Sequence, residues 1–280
     1  MQQAAEQHQA ARDLFGSLGD HVGAAHCAHS LALVYLQQRD LPRARAGFEQ
    51  SLAAARQHGD GARECAALCC LAYAAAGLGE PQAAEALAEQ SLAVHATSGA
   101  DRYLGVDPLL LLARIHREEG RLGAAAAALD RADAAAAGLS HRALALAALL
   151  ERAELAHAEG DDEHALELYW EHAAVHRSGG DLLQRAAALD GAGRALRARG
   201  RLPEALEAFQ RAAELSRGPG HCWQSAVALV HAAEVLADTD RPERAVETGA
   251  EALALLAGFG DPHAEELRTR LRALSQRDEP

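Results

Sequence analysis

Apolar residues recur along this chain at intervals of three and four, in segments separated by short polar breaks that contain glycine or aspartate. Two consecutive segments have their apolar positions at Ala28, Leu31, Ala32 and Tyr35, and then at Leu41, Ala44, Phe48 and Leu52. This spacing puts the apolar side chains on one face of a helix. Each pair of segments therefore predicts two antiparallel helices of roughly 15 to 18 residues.

The two-helix pattern recurs six times with a spacing of 40 or 41 residues. Its marker is an alanine of the second helix: Ala44, Ala84, Ala125, Ala165, Ala205 and Ala245. A small residue stands twelve positions before each marker: Ala32, Ala72, Ala113, Ala153, Gly193 and Ala233. A turn residue stands five positions before it: Arg39, Gly79, Gly120, Gly160, Gly200 and Asp240. A second break follows fifteen positions after it: Gly59, Gly99, Ser140, Gly180, Gly220 and Gly260. A fixed period in this range predicts a stacked repeat, whose function lies in a surface spread over several repeats.

Composition favours the same architecture. Ala and Leu dominate the 49% of hydrophobic residues, aromatic residues make up 4%, and Ile115 is the one isoleucine. Few β-branched residues leave little material for strands, whereas Ala, Leu, Glu, Arg and Gln favour helices. We therefore predict an all-α fold, an α-solenoid in which antiparallel helix pairs form a right-handed superhelix.

The predicted solenoid occupies the whole chain as one domain. Residues 1–20 form a single helix, residues 21–260 form the six helix pairs, and residues 261–280 form a capping helix with a polar tail. The unpaired helices at the two ends have two interpretations. They are either the caps that a solenoid needs, or the edges of a piece taken from a longer protein.

Helix boundaries carry their own signals. Four prolines fall in the first turn of second helices, where a missing N–H is tolerated: Pro42, Pro81, Pro203 and Pro242. Three aspartates follow break residues and are predicted to cap first helices: Asp60, Asp181 and Asp261. Asp107 and Pro108 are predicted to be a further cap and the first helical position after it.

Charge and missing residue types exclude several function classes. All 27 basic residues are arginine, and the absence of Lys rules out a GK[ST] phosphate loop and Schiff-base catalysis. The net charge of −13 opposes attraction to nucleic acid or anionic lipid. We expect a cytoplasmic protein of bacterial origin that binds no nucleic acid directly and no membrane. This expectation rests on the five unpatterned cysteines, the polar N-terminal residues and the exclusive use of Arg.

The aligned columns resemble the tetratricopeptide repeat over nearly the whole chain. A large residue precedes the small one: Ala28, Leu68, Leu109, Leu149, Leu189 and Leu229. The aromatic column of the second helix holds Phe48, Ala88, Leu129, Tyr169, Phe209 and Gly249, and the next small column holds Ser51, Ser91, Ala132, His172, Ala212 and Ala252. Two features depart from that family, since the first-helix Trp is absent and the period is longer. Long-period repeats of this kind are similar to those of large bacterial transcriptional activators of the LuxR and antibiotic-regulator types.

The resemblance implies a non-catalytic scaffold that binds a protein or peptide along its concave face, which the first helices line. The exposed columns of these helices hold the predicted binding residues: Leu33, Leu36, Tyr73, Arg114, Arg117, Glu154, His157, Arg194, Arg197 and Glu234. An extended peptide would pack its apolar end on the first three, Tyr73 being exposed, and its carboxylates would meet the arginines. In the alternative, Arg114, Glu154, Arg194 and Glu234 simply pair with one another across stacked helices.

Two further clusters have competing interpretations. His26, His29, Cys65 and Cys69 would suit tetrahedral zinc, although buried cysteine is commonly a small hydrophobic residue. Trp170, next to His172 and His176, is either an exposed contact for a partner or second copy, or a local repacking.

No nucleophile and base stand at a recognisable spacing, so we predict neither an enzyme nor a resident metal or cofactor. The runner-up function is the sensor part of a larger bacterial transcriptional regulator. A DNA-binding or nucleotide-binding segment in the same native polypeptide would favour it. A metal-dependent hydrolase would require bound metal. The oligomeric state stays open.

Overall fold

The computed structural model describes residues 2–139, 141–176, 181–218, 221–239 and 241–276. Four break residues of the repeat pattern, Ser140, Gly180, Gly220 and Asp240, lie outside the described residues, as do the last four residues of the predicted polar tail.

Helices form all of the regular structure in these residues, and no strand occurs among them. The first seven are α1 (Gln2–Ser17), α2 (His21–Gln37), α3 (Leu41–His58), α4 (Gly61–Gly77), α5 (Pro81–Ser98), α6 (Val106–Glu118) and α7 (Leu122–Ala136). The others are α8 (Arg142–Ala158), α9 (Asp162–Val175), α10 (Leu182–Ala198), α11 (Leu202–Leu215), α12 (Cys222–Asp238), α13 (Pro242–Leu256) and α14 (Pro262–Gln276). A short 3-10 helix, Arg102–Gly105, precedes α6.

The chain divides into two compact units, residues 1–148 and 149–280. In the first, α1 to α5 pack in sequence, α6 packs on α7, and the first helices α2, α4 and α6 also contact one another in turn. In the second, α9 to α13 pack in sequence, and α10, α12 and α14 contact one another in the same way. Short turns make consecutive helices antiparallel. The predicted all-α solenoid of helix pairs is confirmed, whereas the single domain and the right-handed superhelix stay predictions.

Small residues of the first helices make room for large residues of the second helices. Ala32, Ala44 and Phe48 have no exposed surface and form one core cluster with Leu71 in the first unit. In the second unit a Cβ atom added to Gly193 would lie 2.5 Å from a ring carbon of Phe209. The small-residue column therefore sets how closely the two helices of a pair approach.

The boundary signals act largely as predicted. The side chain of Asp60 accepts a hydrogen bond from Arg63 N at 3.0 Å, and Asp181 and Asp261 accept from Leu183 N at 2.9 Å and Ala264 N at 3.2 Å. The four prolines stand in the first turns of α3, α5, α11 and α13.

Asp107 is not a cap, and this prediction is wrong. Helix α6 begins at Val106, two residues before the predicted first position Pro108, so Asp107 lies inside its first turn. The preceding 3-10 helix runs directly into α6, and Val106 N–H bonds to the carbonyl of Tyr103. A backbone hydrogen bond thus satisfies the helix start without a side-chain cap.

Candidate partner-binding surface

In the second unit the first helices and α14 surround an open cavity of about 400 Å³. Its lining consists of His157, Arg194, Arg197, Ala198, His231, Glu234 and Arg270. Four of these residues, His157, Arg194, Arg197 and Glu234, are among those that the sequence predicts for the binding surface. The side chains come together because they occupy equivalent positions on α8, α10 and α12, although Glu234 is buried and not exposed as predicted.

Arg194 is the centre of a half-buried ion-pair network. Its guanidinium pairs with Glu154 of α8, and its Nε atom lies 3.4 Å from Asp190 of the same helix. Asp190 also faces His231 of α12, with 2.8 Å between Oδ1 and Nδ1. Burial opposes the charged form of Asp190, but His231 and Arg194 together hold the pKa of that carboxyl below its ordinary value.

Glu234 is shared by two arginines. Arg197 donates to one of its oxygens, and Nε of Arg270 donates to the other at 2.8 Å. Arg197 also donates to Asp238 at 2.7 Å through Nη2. The alternative that these residues pair with one another across stacked helices is therefore observed for Glu154 and Arg194. Glu234 pairs with Arg197 and Arg270 instead of Arg194.

Sequence reasoning missed Arg270. It treated the single helix α14 as a cap without binding positions, although Arg270 stands on α14 facing α12. In the repeat register Arg270 is equivalent to Asp190 and Val230, outside the two columns that the sequence analysis selected, so the repeat alignment gave no signal for it. The remaining predicted residue of this region, His157, is held by Asp162 at the start of α9.

The first unit holds the other predicted residues. Leu33 is 39% exposed, while Leu36 is half-buried against the core cluster of Ala32 and Phe48. Tyr73 is half-buried rather than exposed, which corrects the prediction. The reason is that the guanidinium carbon of Arg114 lies 5.3 Å from the centroid of its ring, a cation–π contact that covers the ring.

Arg117 lies close to its neighbour Glu118, with 3.9 Å between nitrogen and oxygen. That the ten residues bind one partner together stays a prediction, because they are divided between the two compact units.

The four side chains of the zinc alternative do not converge. Cys65 Sγ lies 3.2 Å from Ser91 Oγ of α5 and is directed at that helix. His29 instead packs its ring edge-on against Phe48, with 5.3 Å between ring centroids. Within the part of the chain that the structure describes, no three His, Cys, Asp or Glu side chains are arranged to hold a metal ion.

The His172 and Trp170 cluster of α9 divides into a buried and an exposed part. His172 has no exposed surface, and neither ring nitrogen has a hydrogen-bond partner among the described residues. Burial, and then the nearby ring of His176, lower the pKa of His172 from 6.5 to about 4. Trp170 is 44% exposed. Its role as a contact for a partner or second copy stays a prediction.

Comparison with known proteins agrees with this architecture. Residues 188–222, which cover most of α10, α11 and the start of α12, match the family model of the tetratricopeptide repeat. Over these residues the chain is similar to a tetratricopeptide repeat. No curated protein sequence matches the chain as a whole or in part.

Solved structures extend the likeness of this repeat protein beyond one repeat. A tetratricopeptide repeat protein from Parabacteroides merdae has a TM-score of 0.63 and 14% identity, with 96% of this chain and 99% of that chain covered. A STAND protein with a tetratricopeptide repeat sensor from Pyrococcus horikoshii has a TM-score of 0.67 and 13% identity, with 98% of this chain covered. The Cut9–Hcn1 hetero-tetramer of APC/C has a TM-score of 0.66 and 19% identity, with 95% of this chain covered.

The chain spans less than half the length of two of these relatives, 43% of the STAND chain and 46% of the Cut9–Hcn1 chain. At these identities the likeness establishes the fold alone, that of helical tetratricopeptide repeat solenoids. The resemblance to LuxR-type and antibiotic-regulator-type activators stays a prediction. Among the described residues, no helix is both long and apolar enough to cross a membrane.

Proposed function

We propose that this repeat protein is a non-catalytic scaffold that holds an acidic segment of a protein or peptide partner on the first-helix surface of its second unit. Solenoids of this type are generally interaction modules without catalytic machinery. The observation that carries the proposal is the open cavity of about 400 Å³ where Arg194, Arg197 and Arg270 meet.

Guanidinium and imidazole groups outnumber carboxylates among the residues that line this cavity. Three arginines and two histidines face one carboxylate, Glu234, in a chain whose net charge is −13. Glu154, Asp190 and Asp238 pair with Arg194 and Arg197 from outside the lining. The guanidinium groups on the lining itself favour a partner that brings carboxylates, which guanidinium binds with two parallel hydrogen bonds.

The existing ion pairs fix the orientation of the arginine side chains before a partner binds. Glu154 and Asp190 hold Arg194 from the protein side, so its orientation is determined before binding. Preorganised side chains lose less conformational entropy when a partner arrives.

The ion pair between Arg197 and Asp238 is exposed enough for a carboxylate of the partner to replace Asp238. The side chains of Arg197 and Asp238 are 34% and 33% exposed, whereas the side chain of Glu234 is only 11% exposed. Exposed ion pairs contribute about 0 to 1 kcal/mol. A carboxylate of the partner can therefore replace Asp238 on Arg197 at little loss, while the pairs of Glu234 keep Arg197 and Arg270 in position.

Peptide binding tests the proposal directly. Fluorescence anisotropy would compare short labelled peptides rich in Glu and Asp with counterparts in which Gln and Asn replace the acids. We expect the wild type to prefer the acidic peptides and the Arg197→Gln/Arg270→Gln variant to bind them about tenfold more weakly or worse.

Arg272→Gln is the matched control, because Arg272 stands on the same helix, bonds Glu265 and does not line the cavity. Thermal unfolding of each variant establishes that it is folded. Equal affinity for acidic and amide peptides, or an unchanged affinity in the folded double variant, would contradict the proposal.

The second candidate function is the sensor part of a larger regulator. It is favoured by the fold shared with a STAND protein that has a tetratricopeptide repeat sensor. This candidate predicts that the native polypeptide contains a DNA-binding or nucleotide-binding segment whose activity changes when the repeat region binds its ligand.

A further inference from the structure

Helices α2, α3 and α4 of the first unit enclose a second cavity, with a volume of about 180 Å³. Five of the eleven residues that line it have small aliphatic side chains: Val22, Ala25, Ala54, Ala55 and Ala66. Because these side chains are small, space between the three helices stays unfilled. An apolar cavity of about 150 Å³ is sufficient for benzene. The cavity therefore has room for one ring-sized apolar group.

Hydrogen-bond donors converge on the same space. His26 and His29 of α2, His58 of α3 and Arg63 of α4 all line it. None of the three imidazole rings has a hydrogen bond to a described residue. Burial, followed by the charges of His26 and Arg63, lowers the pKa of His29, which leaves its ring neutral at pH 7. A neutral imidazole donates one hydrogen bond and accepts another.

The one carboxylate in the lining is already satisfied. Asp60 caps α4 by accepting from Arg63 N at 3.0 Å, and its second oxygen lies 3.3 Å from Arg63 Nε. The terminal nitrogens of the Arg63 guanidinium make no further hydrogen bond to a described residue. Around this cavity, hydrogen-bond donors that have no partner thus outnumber acceptors that have none. A ligand that fits the site therefore has to supply an acceptor.

The repeat fold itself creates this cavity, because an equivalent one exists in the second unit. That cavity also measures about 180 Å³, and its lining includes Ala186, Ala187, Asp190, Gln224 and Val227. The equivalent residues of the first unit, 161 positions earlier, are Ala25, His26, His29, Arg63 and Ala66. In the second unit Asp190 takes the position of His29 and is paired with Arg194 and His231.

We propose that the first-unit cavity is a binding site for a small carboxylic acid with a ring-sized apolar body. The ring occupies the aliphatic space between α2 and α3, and the carboxylate accepts from Arg63 and the imidazoles around it. This site lies in a different unit from the peptide surface and shares no residue with it. Failure of either proposal therefore leaves the other standing.

Benzoate is the probe for this site, and benzamide is its uncharged counterpart of the same shape. Isothermal titration calorimetry would measure affinity, and the imidazole resonances in NMR spectra would locate the site. We expect saturable binding of benzoate that shifts the His29 and His58 resonances, and binding of benzamide weaker by about tenfold or more. Absence of saturable benzoate binding, or equal binding of both compounds, would overturn the proposal.

Three variants sharpen the test. Arg63→Gln removes the charged donor and should weaken benzoate binding by about tenfold. Ala54→Leu fills the apolar space and should abolish binding. Arg43→Gln is the matched control, since Arg43 pairs with the capping Asp40 at the same 3.3 Å as Arg63 with Asp60 but does not line the cavity. Loss of binding in Arg43→Gln, or full binding in folded Arg63→Gln, would also overturn the proposal.

Discussion

Arg39 occupies a backbone position that glycine fills in the other described repeats. Its φ angle is +58°, in the left-handed region, and Gly79, Gly120, Gly160 and Gly200 stand at the equivalent turn with φ between +72° and +83°. A side chain on a residue in this region brings Cβ close to the following carbonyl oxygen and costs roughly 1 to 2 kcal/mol. The first repeat therefore contains local strain that its neighbours avoid.

Replacing Arg39 with glycine should stabilise the protein by about 0.5 to 1 kcal/mol, since relief of strain exceeds the greater entropy of glycine in the unfolded chain. Urea unfolding would measure the change. Gly120→Ala is the control, because its Cβ would meet no atom within 4 Å and only the φ angle of +75° opposes it. Gly120→Ala should lower the free energy of unfolding, and a loss of stability in Arg39→Gly would contradict this explanation.

His172 gives a second prediction at the residue scale, one that concerns pH. Its folded-state pKa lies near 4 and its ordinary value is 6.5, so the folded state favours the neutral ring. The stability due to this group is fully present above pH 6.5 and is lost as pH falls toward 4. We expect a loss of about 2 to 3 kcal/mol over that range, since one pKa unit corresponds to about 1.4 kcal/mol.

Urea unfolding at several pH values would measure this loss, with two variants for comparison. His172→Ala restores the small residue of that column and should remove most of the pH dependence attributed to His172. His164→Ala is the control, because His164 stands on the same helix with its side chain 54% exposed. An unchanged pH dependence in His172→Ala would show that another group is responsible.

At the scale of the helix pair, aromatic residues of second helices lie against glycines of the following first helix or of their own pair. A Cβ atom on Gly191 would lie 2.3 Å from a ring carbon of Tyr169, and one on Gly193 would lie 2.5 Å from a ring carbon of Phe209. Both aromatic side chains are fully buried, so the rings have no space into which to retreat. The close approach of α10 to α9 and α11 depends on these two glycines.

Gly193→Ala should therefore destabilise the protein by about 1 to 3 kcal/mol, because overpacking outweighs the better helix propensity of alanine. Gly123→Ala on α7 is the control, since a Cβ atom added there would meet no atom within 4 Å and φ is ordinary for an L residue. Chemical unfolding should show this control to be neutral or slightly more stable. Equal effects of the two substitutions would mean that packing against Phe209 does not limit the approach of the helices.

Helix ends show which structural features the sequence predicts and which it does not. Helix ends were predictable wherever one local side chain determines them, as Asp60 and Asp181 do for α4 and α10. The start of α6 was not predictable from Asp107, because a 3-10 helix replaces the side-chain cap there.

The sequence predicted which residues belong to the candidate site better than it predicted which of them pair with one another. Aligning repeats identifies equivalent positions, but a guanidinium reaches about a helical turn beyond its own position, since an α-helix rises 5.4 Å per turn. Glu234 thus pairs with Arg197, one turn along from the expected Arg194, and with Arg270 of α14. Arg114 and Tyr73 belong to the same aligned column, so the alignment places them next to each other but does not show that the guanidinium covers the ring.

At the scale of the whole molecule, charge is distributed unevenly. The chain has a net charge of −13, yet its arginines Arg194, Arg197 and Arg270 are gathered on one surface of the second unit. General repulsion by the acidic protein opposes an acidic partner at long range, while the local cluster attracts it at contact. Salt screens exposed charges with a Debye length of about 8 Å at physiological ionic strength. We therefore propose that local contacts on the first-helix surface, and not long-range attraction, recognise the partner.

The most direct test of that claim is the footprint of the tightest-binding acidic peptide, measured by amide hydrogen exchange of the free and bound protein. We expect protection to concentrate on α10, α12 and α14 around Arg197, Glu234 and Arg270. Protection centred on the second helices, with the exposed Trp170 of α9 at its middle, would contradict the claim and move the partner to the opposite helices of the repeats.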